Sequence, residues 1–203
     1  MPKSAARLAK EGTQPVAPAT TIEIGIPVAG EPKRAVYFDP GDRYTGVAVF
    51  ERTVPTNGWD CVDAFTWDIE VEAIDGLHEW LKTELAQGKF DRVGYEVWRL
   101  FEDKAQEQKG SEFLATQLIG VIKYLHGQFQ ELHEWPAGGK QVDLVRFFPE
   151  NKKPTAGILK TRGVGLLSRA LKTKGDHAYD AELQGYYDLI HNLNQPIAQE
   201  LPF

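Results

Sequence analysis

Asp39 in "FDPG", Glu96 in "GYEV", and His177 with Asp180 in "HAYD" are the residues whose types, taken together, could do chemistry. Carboxylates gathered in one place repel one another unless a cation compensates them, and oxygen ligands from Asp and Glu suit Mg²⁺ or Mn²⁺ rather than zinc. Two such ions about 4 Å apart activate water on one side of a phosphate and stabilise the leaving oxygen on the other. The corresponding reaction is phosphodiester hydrolysis. Each residue also has a plainer reading. Asp-Pro-Gly is a common turn, a glutamate can end a strand without any chemical role, and His-x-x-Asp at a helix start often caps and solvates it. Only a fold that draws all four to one place makes them a site.

The elements around them are of the kind that would do so. Ala35 to Phe38 reads as a short buried strand that stops at the Asp-Pro-Gly turn, and Tyr44 to Phe50 is β-branched and aromatic enough for a second. A third is expected from Cys61 to Ile69, after the turn at Thr56, Asn57 and Gly58. Ile74, Leu77, Leu81 and Leu85 form a helical stripe that Gly88 would end. "RVGYEV" is the next strand, expected to lie parallel to the first after a crossover. Ser111 is a candidate N-cap for a helix striped by Leu114, Leu118, Ile122, Leu125 and Phe129, and "VDLVRFFP" is a further strand. A short helix near Gly165 to Leu171 and a last one from about Asp176 to Asn192, faced by Ala178, Ala181, Gly185 and Leu189, complete the chain.

The order β-β-β-α-β-α-β-α-α predicts an α/β domain over 35–203, a five-stranded mixed sheet flanked by helices, which is a ribonuclease-H-like architecture. Asp39 and Glu96 would emerge at one sheet edge if their strands are parallel neighbours, and i, i+3 spacing puts His177 and Asp180 on one helical face. Residues 1–34 mix Ala, Pro, Thr and Gly without periodicity and are expected to form a flexible arm, with only "IEIGIPV" able to extend.

A net charge of -6 argues at first against a nucleic-acid partner. The distribution reverses that argument. Asn151 to Gly175 holds seven basic residues, among them Lys152, Lys153, Lys160 and Arg162, and no acidic one. No run approaches the roughly 18 apolar residues of a membrane span. Cys61 stands alone, which excludes an internal disulfide and a multi-cysteine zinc site, and without an apolar leader the expected setting is cytoplasmic.

The motifs also resemble a known family. "FDPGDRYTGVAV" is similar to the first motif of the RuvC family of Holliday-junction resolvases, with Asp39, Arg43, Thr45 and Gly46 at the matching positions. "VGYEVWRLFEDKAQEQKGSEFLATQLIGVI" resembles the second through Glu96 and Gly120, and "HAYDAE" the last through His177 and Asp180. The likeness runs from about residue 35 to 190. It implies a Mg²⁺-dependent endonuclease with two ions, for which Mn²⁺ can substitute, held by Asp39, Glu96, His177 and Asp180. It further implies a homodimer that nicks a four-way DNA junction in pairs, in a bacterial or phage-infected cell.

The resemblance places Trp98 and Phe101, with Arg99 between them, in a loop where an aromatic wedge meets the junction centre. DNA contacts by Arg43, Lys152, Lys153, Lys160 and Arg162 follow from it as well. The amino-terminal extension, the acidity and looser spacing after Gly46 mark a divergent, phage-type member. Two other classes compete. Asp-x-Gly with Thr-Gly also opens the phosphate hairpin of actin-like and sugar-kinase ATPases, which need two such domains. A non-catalytic DNA-binding or scaffold protein of the same fold would have lost a ligand position, and all four are present.

Overall fold

Tyr37 and Phe38 point to opposite faces of one strand, and both are fully buried. A strand apolar on both sides belongs at the centre of a sheet covered by helices on each face. The computed structural model describes residues 34–52, 58–69, 74–86, 89–97, 114–132, 142–173, 175–195 and 197. Residues 1–33 of the expected arm, the Ser111 cap and the loop carrying Trp98, Arg99 and Phe101 lie outside the described residues, and Arg34, expected to end the arm, begins the first strand.

Strand β1 (Arg34–Pro40) pairs antiparallel with β2 (Tyr44–Arg52), and β2 with β3 (Trp59–Asp68). On its other side β1 pairs parallel with β4 (Arg92–Glu96), which pairs parallel with β5 (Asp143–Phe147). The order is β3-β2-β1-β4-β5, a five-stranded mixed sheet. Helices α1 (Ile74–Ala86) and α2 (Leu114–Leu132) supply the crossovers into β4 and β5. After β5 come a single 3₁₀ turn at Pro149–Asn151, then α3 (Lys152–Arg162), α4 (Leu167–Ala170) and α5 (His177–Tyr187). Without a break, α5 continues into a π-helical turn at Asp188–Asn192.

The alternation of side chains along β1 sorts the core into two layers. Val36 and Phe38 pack with Val47, Val49, Val93 and Tyr95 beneath Leu77, Leu81, Leu118 and Ile122 of α1 and α2. Ala35 and Tyr37 pack with Ala48, Phe50 and Phe147 beneath Leu159 of α3 and Ala181 and Tyr186 of α5. Leu77, Leu81, Leu118, Ile122 and Leu125 of the predicted stripes are therefore buried, and Leu114 is half-buried.

Small residues let α5 lie close to the sheet. A Cβ on Gly185 would stand 2.2 Å from the Phe50 ring. Phe50 meets Tyr186 edge to face, with centroids 5.0 Å apart, an arrangement worth about 0.5–1.5 kcal/mol beyond the area it buries.

Sequence reasoning did not foresee α3. Pro154 reads as a breaker and Gly157 as a weak helix former, yet Pro154 falls in the first turn, where the amide it lacks would have had no helical partner. Gly163, at φ 68°, closes the helix in the left-handed conformation that glycine adopts freely.

Candidate functional site

The parity that turns Tyr37 toward α5 turns Asp39 the same way, two residues on. In β4, Glu96 shares its face with Gly94. Phe38 is level with Tyr95 across the parallel pair, so Asp39 and Glu96 leave adjacent strand ends side by side under α5. Both are largely screened from water, Asp39 at 8 % and Glu96 at 13 % side-chain exposure.

His177 and Asp180 come to meet them on the first turn of α5. The approach depends on a missing side chain. Gly46 lies opposite Asp39 in the β1–β2 register, and a Cβ there would stand 1.9 Å from the His177 carbonyl oxygen. Bare backbone at Gly46 is what lets the helix start sit against the sheet edge. His177 Nδ1 then donates to Asp39 Oδ2 at 2.7 Å.

At the centre of the cluster is a residue that the sequence marked for a different task. Lys152, the first residue of α3, places its ammonium 2.7 Å from Asp180 Oδ2, 2.9 Å from Glu96 Oε2 and 3.3 Å from Asp39 Oδ1. A basic residue leading a basic run reads as solvated or phosphate-facing. The fold turns this one inward, whereas Lys153, Lys160 and Arg162 are exposed, as a phosphate-binding face requires. Arg43, half exposed, lies at the same end of the sheet, 3.7 Å from Asp68 and over the Tyr44 ring.

A second unforeseen residue is Gln184, one turn beyond Asp180. It is fully buried, and its Nε2 donates to Glu96 Oε2 at 2.6 Å. The i, i+4 spacing from Asp180 was the available signal, and a glutamine there is easily passed over as helix surface.

Burial and the neighbouring charges together show in the proton affinities. Burial, and then the neighbouring Asp39, push the Glu96 carboxyl up to about 7, against the pull of Lys152. The hydrogen bond to Asp39 raises His177, with burial opposing. Burial also raises Asp180, although Lys152 pulls it down. Lys152 itself is raised: burial works against its charge, and the carboxylates outweigh it.

Glu182, adjacent in sequence to these acids, has a different duty. Fully buried, it accepts hydrogen bonds from the Leu167 and Ser168 amides at 2.8 and 2.9 Å and from Ser168 Oγ at 2.6 Å, fastening the start of α4 to α5.

Carboxylate oxygens converging on a cation, with an imidazole beside them, form a donor set suited to Mg²⁺ or Mn²⁺. Among the described residues no three of these side chains are spaced to hold an ion as they stand. The Lys152 ammonium stands between them. Its oxygen partners keep ordinary hydrogen-bond distance, wider than the roughly 2.0–2.1 Å that Mg²⁺ takes. By donor type and by the cation already at their centre, the residues fit a divalent ion.

No family model matches the chain, and none of the curated proteins matches it. Solved structures do. A Thermus thermophilus RuvC in complex with Holliday junction substrate superposes with TM-score 0.54 at 13% identity, over 81% of this chain and 99% of that one. A second Thermus thermophilus RuvC structure gives TM-score 0.52 at 12% identity, with the same coverage. The chain therefore has the ribonuclease-H-like fold in the form that RuvC gives it.

Proposed function

We propose that the chain is a divalent-metal-dependent endonuclease that cuts branched DNA, with the four-way junction as its preferred substrate. The observation that carries this reading is the convergence of Asp39, Glu96 and Asp180 on one cationic centre at a sheet edge, with His177 bound to Asp39. Support for the substrate comes from the fold shared with a RuvC that is bound to a Holliday junction.

In this reading Asp39, Glu96 and Asp180 hold Mg²⁺, with Mn²⁺ able to substitute, and His177 is the softer fourth ligand. Two bound ions would supply an activated water and neutralise charge developing on the phosphate. The remaining work belongs to the chain. Gln184 fixes the orientation of Glu96 as an outer partner of a ligating carboxylate does, and the hydrogen bond from His177 Nδ1 to Asp39 would orient the ring with Nε2 left for the ion. Lys153, Lys160, Arg162 and Arg43 hold the phosphate backbone, which positions DNA without reading its sequence. Trp98, Arg99 and Phe101 would contact the junction centre. A homodimer would place two such sites on one junction, giving paired nicks.

The test is cleavage of labelled four-way, flap, fork and linear duplex DNA by the purified chain in Mg²⁺. Symmetric nicking of the junction is expected, with Asp39→Asn and Glu96→Gln each slower by more than about a hundredfold, since outer partners of metal ligands alone are worth ten to a hundredfold. Cleavage that persists in Asp39→Asn would overturn the site, and equal cutting of linear duplex would overturn the substrate.

A further inference from the structure

Lys152 is the one lysine or arginine among Asp39, Glu96 and Asp180 in the described residues, and the other basic residues of its helix, Lys153, Lys160 and Arg162, face solvent. We infer that the Lys152 ammonium is the resident counter-ion of the carboxylate cluster, holding it assembled before a divalent ion binds and exchanging with that ion on loading. The inference rests on the metal-site reading above and adds to it a built-in competitor.

Three features lead to this. The ammonium spends its donors on three separate carboxylates contributed by three elements, β1, β4 and α5. Three carboxyls crowded in a partly buried space need a compensating cation to the extent that they ionise. A counter-ion tethered in the chain meets that need when no metal is present. Second, the oxygens that Lys152 occupies are the ones a divalent ion would take. A divalent ion holds oxygens at about 2.0–2.1 Å, well inside the hydrogen-bond distance the ammonium keeps, so the two compete for the same lone pairs.

Third, the lysine has somewhere to go. It opens α3, its side chain is 18 % exposed, and Lys153 and Lys160 of the same helix are open to solvent. Its four-carbon stem allows the ammonium to swing from the cluster toward that outer face, where a DNA phosphate would receive it. Loading the site with metal and freeing a cation for the DNA backbone become one event.

The experiment follows Lys152 directly in the unmodified chain. Lysines are acylated with an N-hydroxysuccinimide acetate in EDTA and across a Mn²⁺ titration, and the modified sites are read by mass spectrometry. Mn²⁺ binding is measured in parallel by calorimetry. Acylation of Lys152 should rise by roughly fivefold or more, half-complete at the calorimetric Kd, while Lys153 stays constant; that is the lower range of coupling between two ligands competing for one set of groups.

In the second arm, Lys152→Met should bind Mn²⁺ roughly tenfold tighter than wild type. It should melt at a lower temperature in EDTA, with the gap closing in saturating Mn²⁺, while Lys153→Met changes neither. Lys152 that stays shielded at saturating Mn²⁺, or equal affinity in wild type and Lys152→Met, overturns the exchange and leaves the metal site standing. Absence of Mn²⁺ binding in both proteins overturns the metal-site reading, and the exchange falls with it.

Discussion

Glu96 is a carboxyl held where ionising is unfavourable: buried, beside Asp39, and partly relieved by Lys152. In the metal-free chain its affinity for a proton is raised to about 7, and His177 and Asp180 are raised as well. For each group the folded chain keeps its proton to a higher pH than the unfolded chain does. Stability is therefore greatest on the acid side and is lost as pH rises through the folded-state values. For Glu96 the window runs from its unfolded value near 4.5 up to about 7. The melting temperature of wild type relative to Glu96→Gln, measured in EDTA, should fall across that window. A difference that is flat or rises would show that Glu96 ionises without strain. Divalent metal, which binds the deprotonated ligands, should reverse the trend. At this scale the sequence was informative about the acids and silent about their partners. Asp39, Glu96, His177 and Asp180 were legible because each sits at the end of an element, where side chains converge. Lys152 and Gln184 were not, because a lysine in a basic run and a glutamine within a helix carry no sign of which way the backbone will turn them.

Helix α5 is the element on which the site depends, and it is secured far from the chemistry as well as at it. Asp188, fully buried where α5 passes into the π-helical turn, accepts hydrogen bonds from the Tyr37 hydroxyl at 2.7 Å, from Asn192 Nδ2 at 2.6 Å and from the Arg92 guanidinium through Nε and Nη2. Arg92 begins β4, the strand that ends in Glu96. Asp188→Ala would leave the buried Tyr37 phenol without its acceptor and the mostly buried Arg92 guanidinium with Asp143 alone, and the midpoint of chemical denaturation should report a loss toward the lower end of the roughly 3–5 kcal/mol that breaking a buried pair from one side costs. A loss below about 1 kcal/mol would mean that solvent compensates Arg92. The stripe Ala178, Ala181, Gly185 and Leu189 made α5 readable in advance. The change to i→i+5 bonding at its end, where the Leu193 amide reaches the Asp188 carbonyl at 2.9 Å, leaves no such periodic trace. Nor could α3 be read, since residues 152–162 bury only Thr155 and Leu159 and so lack a stripe.

Across the whole molecule the charge is divided rather than balanced: a net -6 overall, with one helix presenting Lys153, Lys160 and Arg162 to solvent. If that helix lies along the DNA backbone, replacing the three by alanine should weaken binding to every DNA shape alike and reduce the slope of log affinity against log salt by about two to three. An unchanged slope would mean that the helix faces away from DNA. The fold was legible at this scale from the order of its elements. At 13% identity to the Thermus RuvC, the shared architecture is kept by the placement of apolar faces and turns rather than by particular residues. The two fastenings of α5 have a mechanical meaning for the molecule. Held by the Asp188 network at its far end and seated on Gly46 at its near end, α5 is a strut fixed at both supports. Tilting the helix would work against both fastenings at once, so the exchange proposed for Lys152 would draw on side-chain torsions rather than on movement of α5.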